Sequence, residues 1–126
     1  MPSWFSRRAA LWLPPLAYMA FIYYLSAQSD PMPQVTSVVW DKLLHFLEYG
    51  ALAILLVRAL SGEGLSVPAT MVAAVLLTSA YGASDEIHQS AVPRRQADVQ
   101  DWLVDSVGAS VGAAFATSWA RRAKRA

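Results

Sequence analysis

The chain has no cysteine, which excludes disulfides, thiolate metal sites and thiol catalysis. Charge is scarce, at 15% of residues against 56% hydrophobic, well on the apolar side of a soluble protein. The formal net charge of +1 is too small to point to nucleic acid as a partner. Apolar runs do not alternate with polar residues, so there is no β pattern. Nothing repeats at a fixed period. No nucleophile motif, glycine-rich phosphate loop or HExxH is present. At 126 residues the chain is one domain, residues 1–126.

What is present is a set of long apolar segments. The first, AALWLPPLAYMAFIYYLSA, covers residues 9–27 and is long enough to cross a bilayer as a helix. Pro14 and Pro15 fall in its expected first turns, where a missing N–H does least harm. A cleaved signal peptide is the rival reading, because Arg7 and Arg8 precede the run. Against it, the run is long, and Tyr23, Tyr24 and Leu25 before Ala27 make a poor cleavage site. Pro31 and Pro33 mark a loop between Gln28 and Trp40. A second helix is expected over 42–60, opened by Asp41. SGEGLSVP is a short turn, and a third helix is expected over 68–90, with Pro68 in its first turn. Pro93 breaks that helix, Asp98 caps the next, and a fourth helix is expected over 99–122. The sequence therefore predicts an all-α membrane protein, a small bundle of four transmembrane helices, since in lipid each backbone group must be paired within its own helix.

Basic residues set the orientation. With four spans, Arg7, Arg8, Arg58, Arg121, Arg122, Lys124 and Arg125 share one side, and Lys42, Arg94 and Arg95 the other. The excess predicts that both termini are cytoplasmic. Trp40 and Trp102 then anchor the outer interface, and Trp12 and Trp119 the inner one.

Two polar clusters interrupt this apolar chain. DKLLHFLEYG opens the second helix, and SDEIHQSAVPRRQADVQDWLVDSVG joins the third to the fourth. An ionisable group at the centre of a span costs roughly 2.5–3.5 kcal/mol on insertion scales, so drift does not readily load both. The four-span topology puts both at the outer end, with Ser26, Gln28 and Ser29 of the first helix. Their faces agree as well. Asp41, His45 and Glu48 share one stripe, Asp101, Asp105, Gly108 and Gly112 another, and Asp85 and Gln89 one side of the third helix. Glu48 stands roughly 10 Å along its helix from Asp41, and Asp105 roughly 6 Å from Asp101. These are the depths of an outer vestibule.

Each residue also has a plainer reading. Asp41 and Asp98 suit N-caps, and Asp101 suits compensation of the helix dipole. Lys42 can snorkel to the interface, and Arg94 can sit in water. His88 falls off the shared face. Gly108 and Gly112 favour close helix packing. His45, Glu48, Glu86 and Asp105 lie inside their helices and are the stronger candidates for function. Alternatively, Arg95, Lys42 and protonated His45 neutralise the acids and only hold the helices in register.

These residues carry a likeness. The sequence resembles VanZ-like membrane proteins in Asp41-Lys42…His45, in Glu86…Gln89, in Pro93-Arg94-Arg95, in Asp101…Asp105…Gly108 and in LSAQS from Leu25 to Ser29. The match covers roughly residues 22–112. Arg94 stands where the family often has Gly, and Asp105 where many members have Asn. The resemblance implies a small multi-pass protein of the bacterial inner membrane, in a family whose namesake is associated with glycopeptide tolerance.

The residues favour an outward polar pocket that engages a membrane lipid, a lipid-linked envelope precursor or an amphiphilic drug. Arg95 and Lys42 bind its anion, with Asp41, Gln89 and Asp101 in the binding set. His45 or Glu48 is placed to act as a general base, with Glu86 and Asp105 orienting. Two further readings stand beside this one. Asp41, His45, Glu48, Glu86, Asp101 and Asp105 offer oxygen and imidazole ligands to a divalent metal, or relay protons. The bundle can also be a structural, partner-binding protein.

Overall fold

The computed structural model describes residues 3–29, 38–123 and 125. Four α-helices follow one another: α1 (Trp4–Ser26), α2 (Val38–Gly62), α3 (Val67–Ser90) and α4 (Val99–Ala123). There is no strand among the described residues. α1, α2 and α3 are each long and apolar enough to cross a membrane.

The expected helices are all there, but two begin earlier than the apolar runs. α1 starts at Trp4, where the Ser3 hydroxyl accepts the Ser6 N–H at 3.2 Å. Pro14 and Pro15 therefore lie in the middle of α1, not in its first turns. A proline removes the N–H that would bond the carbonyl four residues back. For Pro14 that carbonyl belongs to Ala10, and the Arg58 guanidinium of α2 donates to it at 3.1 Å. α2 starts at Val38, so Asp41 lies in its first turn and is not its N-cap. The Pro31 and Pro33 loop falls outside the described residues, which resume at Val38. Asp98 does cap α4, accepting the Gln100 N–H at 2.8 Å.

α2 is the central helix. Tyr49, Leu52, Ala53, Leu56, Val57 and Leu60 pack with Ile22 of α1, Ala74 of α3, and Ala109 and Ala113 of α4. α4 lies most closely against α2, α3 packs on both, and α1 sits at the edge against α2 and α3. The α2–α4 approach depends on glycine. A Cβ on Gly108 would run into the Phe46 carbonyl, and one on Gly112 into that of Gly50. The small-residue stripe read from the sequence is thus a packing surface.

The bundle's outer face is apolar. On α4, Val99, Leu103, Val107, Val111, Phe115 and Trp119 follow at four-residue steps and are all exposed, opposite buried Asp101, Asp105, Gly108 and Gly112.

Candidate functional site

The antiparallel order brings together the start of α2, the end of α3 and the start of α4. One to two turns into α2, Lys42 and His45 face α4. Lys42 Nζ pairs with Asp98 Oδ2 at 2.8 Å and with Asp101 Oδ1. His45 Nδ1 lies 2.9 Å from Asp105 Oδ1, and its Nε2 lies 3.9 Å from Asp101 Oδ2. Asp98 lies in the connection between α3 and α4, and the Lys42 ammonium holds its carboxyl below the ordinary value, helped by the Gln100 N–H.

α3 closes the third side. Glu86 is buried, and its Oε2 accepts the backbone N–H of Asp98 at 2.8 Å. Asp85 Oδ2 accepts the Tyr49 hydroxyl at 2.9 Å and the Gln89 amide at 3.3 Å. Tyr49 is fully buried and lies parallel to the His45 ring, with centroids 6.3 Å apart. Gly82 makes room for this layer, since a Cβ there would stand 3.0 Å from Asp105 Oδ2. Trp102 fixes α4 against α3 through its indole N–H to the Ser79 carbonyl at 3.0 Å.

The candidates read from the sequence thus divide. His45, Glu86, Gln89, Asp101 and Asp105 are buried in one interior layer, and Asp41 and Lys42 stand half-buried at its edge. Arg95 is half-buried in the connection after α3 and donates to the Gln28 carbonyl at 3.3 Å, at the end of α1. It makes no ion pair with a described carboxylate, so the expected neutralising network includes Lys42 and His45 without it. Glu48 is half-buried on the turn below. Two groups have atoms close enough to hold one ion: Asp41, His45 and Asp101, and His45, Glu86 and Asp105. Glu48 belongs to neither, so the expected His45–Glu48 pairing on a metal is replaced by contacts across helices. His88 lies away from the layer, stacked on Tyr23 at 4.2 Å. Tyr49 was absent from the sequence-derived set. Its only signal is its position, four residues after His45 on the same face.

The opposite end is built differently. Arg8 pairs with Glu63 at 2.9 Å, Trp12 donates to Glu63 at 2.9 Å, and Arg7 bonds the Gly62 carbonyl at 2.9 Å. The Trp12 hydrogen bond, with the Arg8 charge behind it, lowers the Glu63 carboxyl from its ordinary value. Trp4, Arg7, Arg8, Leu11 and Gly62 to Gly64 line an open cleft of about 260 Å³ there, remote from the ionisable layer.

Neither the curated proteins nor the solved structures give a match to this chain. The VanZ/LLP1 family model matches residues 4–120, nearly its whole length. With three helices apolar enough to span a bilayer, the chain is a membrane protein and belongs to the VanZ/LLP1 family.

Proposed function

We propose that the chain crosses the bacterial cytoplasmic membrane four times with both termini inside. Its ionisable layer then forms the floor of an outward-facing polar pocket that takes the anionic headgroup of an envelope lipid, a lipid-linked precursor or an amphiphilic drug. α4 qualifies as a span by its exposed stripe from Val99 to Trp119. Its acids and glycines point inward, where average composition understates its fitness for lipid. Its 25 residues reach about 38 Å at 1.5 Å per residue, more than the roughly 30 Å hydrocarbon core. The orientation rests on the excess of Lys and Arg at the end that holds Arg7, Arg58 and Arg121. It is checked with single cysteines in this cysteine-free chain. Gln96→Cys should react with an impermeant maleimide on intact cells, and Ser61→Cys only after permeabilisation. The reverse pattern overturns the orientation.

The observation that carries the ligand reading is Arg95. It stands at the rim of a buried acidic and imidazole layer, tied to the Gln28 carbonyl and unpaired with any described carboxylate. A guanidinium fork so placed suits a phosphate or carboxylate. Lys42, paired with Asp98 and Asp101, is the second cation of the ligand set. The His45–Asp105 pair has the arrangement of a general base held by a carboxylate, available if the bound headgroup is also transformed.

The test is lipid binding by the full chain in nanodiscs, with phosphatidylglycerol compared against phosphatidylcholine. Wild type should prefer the anionic lipid about tenfold, which corresponds to about 1.4 kcal/mol. Arg95→Gln should abolish the preference. Arg94→Gly, which removes a cation from the same turn, should keep it. A preference unchanged in Arg95→Gln overturns the reading.

A further inference from the structure

We propose that His45, Glu86 and Asp105 form a site for one divalent transition-metal cation, buried where α2, α3 and α4 meet. Each helix supplies one ligand, and one ligand atom of each lies within 4.8 Å of the others. His45 is 6% exposed, Glu86 6% and Asp105 0%.

The independent observation is a pair of orphaned oxygens. Glu86 Oε1 and Asp105 Oδ2 are both buried and have no hydrogen-bond partner. A buried charged oxygen left without a partner is costly. Asp85 Oδ1, nearby, is likewise buried without a partner while its Oδ2 takes the Tyr49 and Gln89 donors, but Asp85 is not among the residues close enough to share an ion with His45. Glu86 and Asp105 bring two carboxylates beside one imidazole, a charge that a doubly charged cation balances.

The remaining contacts suit ligation. Glu86 Oε2 is held by the Asp98 N–H at 2.8 Å, which orients the carboxylate and leaves Oε1 for the site. The 2.9 Å between His45 Nδ1 and Asp105 Oδ1 is short enough for two atoms to share one ion, and a Glu86 carboxylate oxygen belongs to the same group. One imidazole and two carboxylates form a donor set suited to zinc, manganese or iron. The outer group of Asp41, His45 and Asp101 is the weaker site, because the Lys42 ammonium already engages Asp101. A cation held by His45 and Asp105 takes the place of the general-base role of that pair, and the inference stands independently of which headgroup the pocket takes.

The experiment uses the full chain, purified without chelator and with a tag free of histidine. Metal is measured by mass spectrometry, before and after titration of stripped protein with zinc or manganese. We expect about one equivalent per chain and a higher melting temperature on metal addition. Both effects should be lost in Glu86→Gln and Asp105→Asn and kept in Glu63→Gln at the far end. X-ray absorption of the loaded wild type should show one imidazole among oxygen ligands, a readout that needs no variant to fold. Folded wild type that neither carries metal nor gains stability from zinc or manganese overturns the site. So does a first shell without imidazole, or binding unchanged in both carboxylate variants.

Discussion

Lys42 shows how much a single residue decides. An exposed lysine near a helix end is ordinarily an interfacial anchor, yet this one bridges Asp98 and Asp101 and so ties α2 to the start of α4. The sign of the Asp98 effect follows from its lowered pKa. Asp98 in the folded chain releases its proton below the ordinary value of 3.8. Its contribution is therefore complete above that value and is lost as pH falls through the depressed one. The melting temperature in detergent should exceed that of Asp98→Asn near neutral pH, and the gap should narrow as pH falls below the ordinary value of 3.8. A gap independent of pH contradicts the pairing. Arg94 has a φ of 66°, the left-handed conformation in which glycine is at ease. The faces of His45, Asp101 and Asp105 were legible because helical spacing puts residues four apart on one side. Which atoms they meet was not, because sequence spacing within a helix carries no distance between helices. Arg95 bonding Gln28, and Tyr49 bonding Asp85, belong to that second kind.

At the scale of elements, the apolar runs located four helices but misplaced two starts. α1 continues back through Arg7 and Arg8 because those side chains find partners at the α2–α3 turn, Gly62 and Glu63. It also tolerates Pro14 in mid-helix because Arg58 satisfies the Ala10 carbonyl. Neither compensation can be read from α1 alone. The glycines of α4 were legible as a packing stripe, and the structure adds the partner, the backbone of α2 at Phe46 and Gly50. Gly112→Ala must push α4 away from Gly50. A loss of about 1–3 kcal/mol is expected from overpacking, measured by denaturant unfolding in micelles, whereas Val111→Ala on the exposed face should change stability little. Equal effects at both positions would contradict the close α2–α4 contact.

Across the whole molecule, the ends of the bundle differ in kind. One end holds arginines paired at the surface with Glu63 and backbone carbonyls. The other folds its acids and His45 inward between three helices. The central claim is that these groups, distant in the chain, act together in one interior layer. The most direct test is a double-mutant cycle on His45 and Asp105, residues 60 apart in sequence, using His45→Gln, Asp105→Asn and the double variant in reversible unfolding. Groups in contact are expected to couple by about 0.5–3 kcal/mol. Additivity within about 0.3–0.5 kcal/mol, the behaviour of separate sites, would contradict the account.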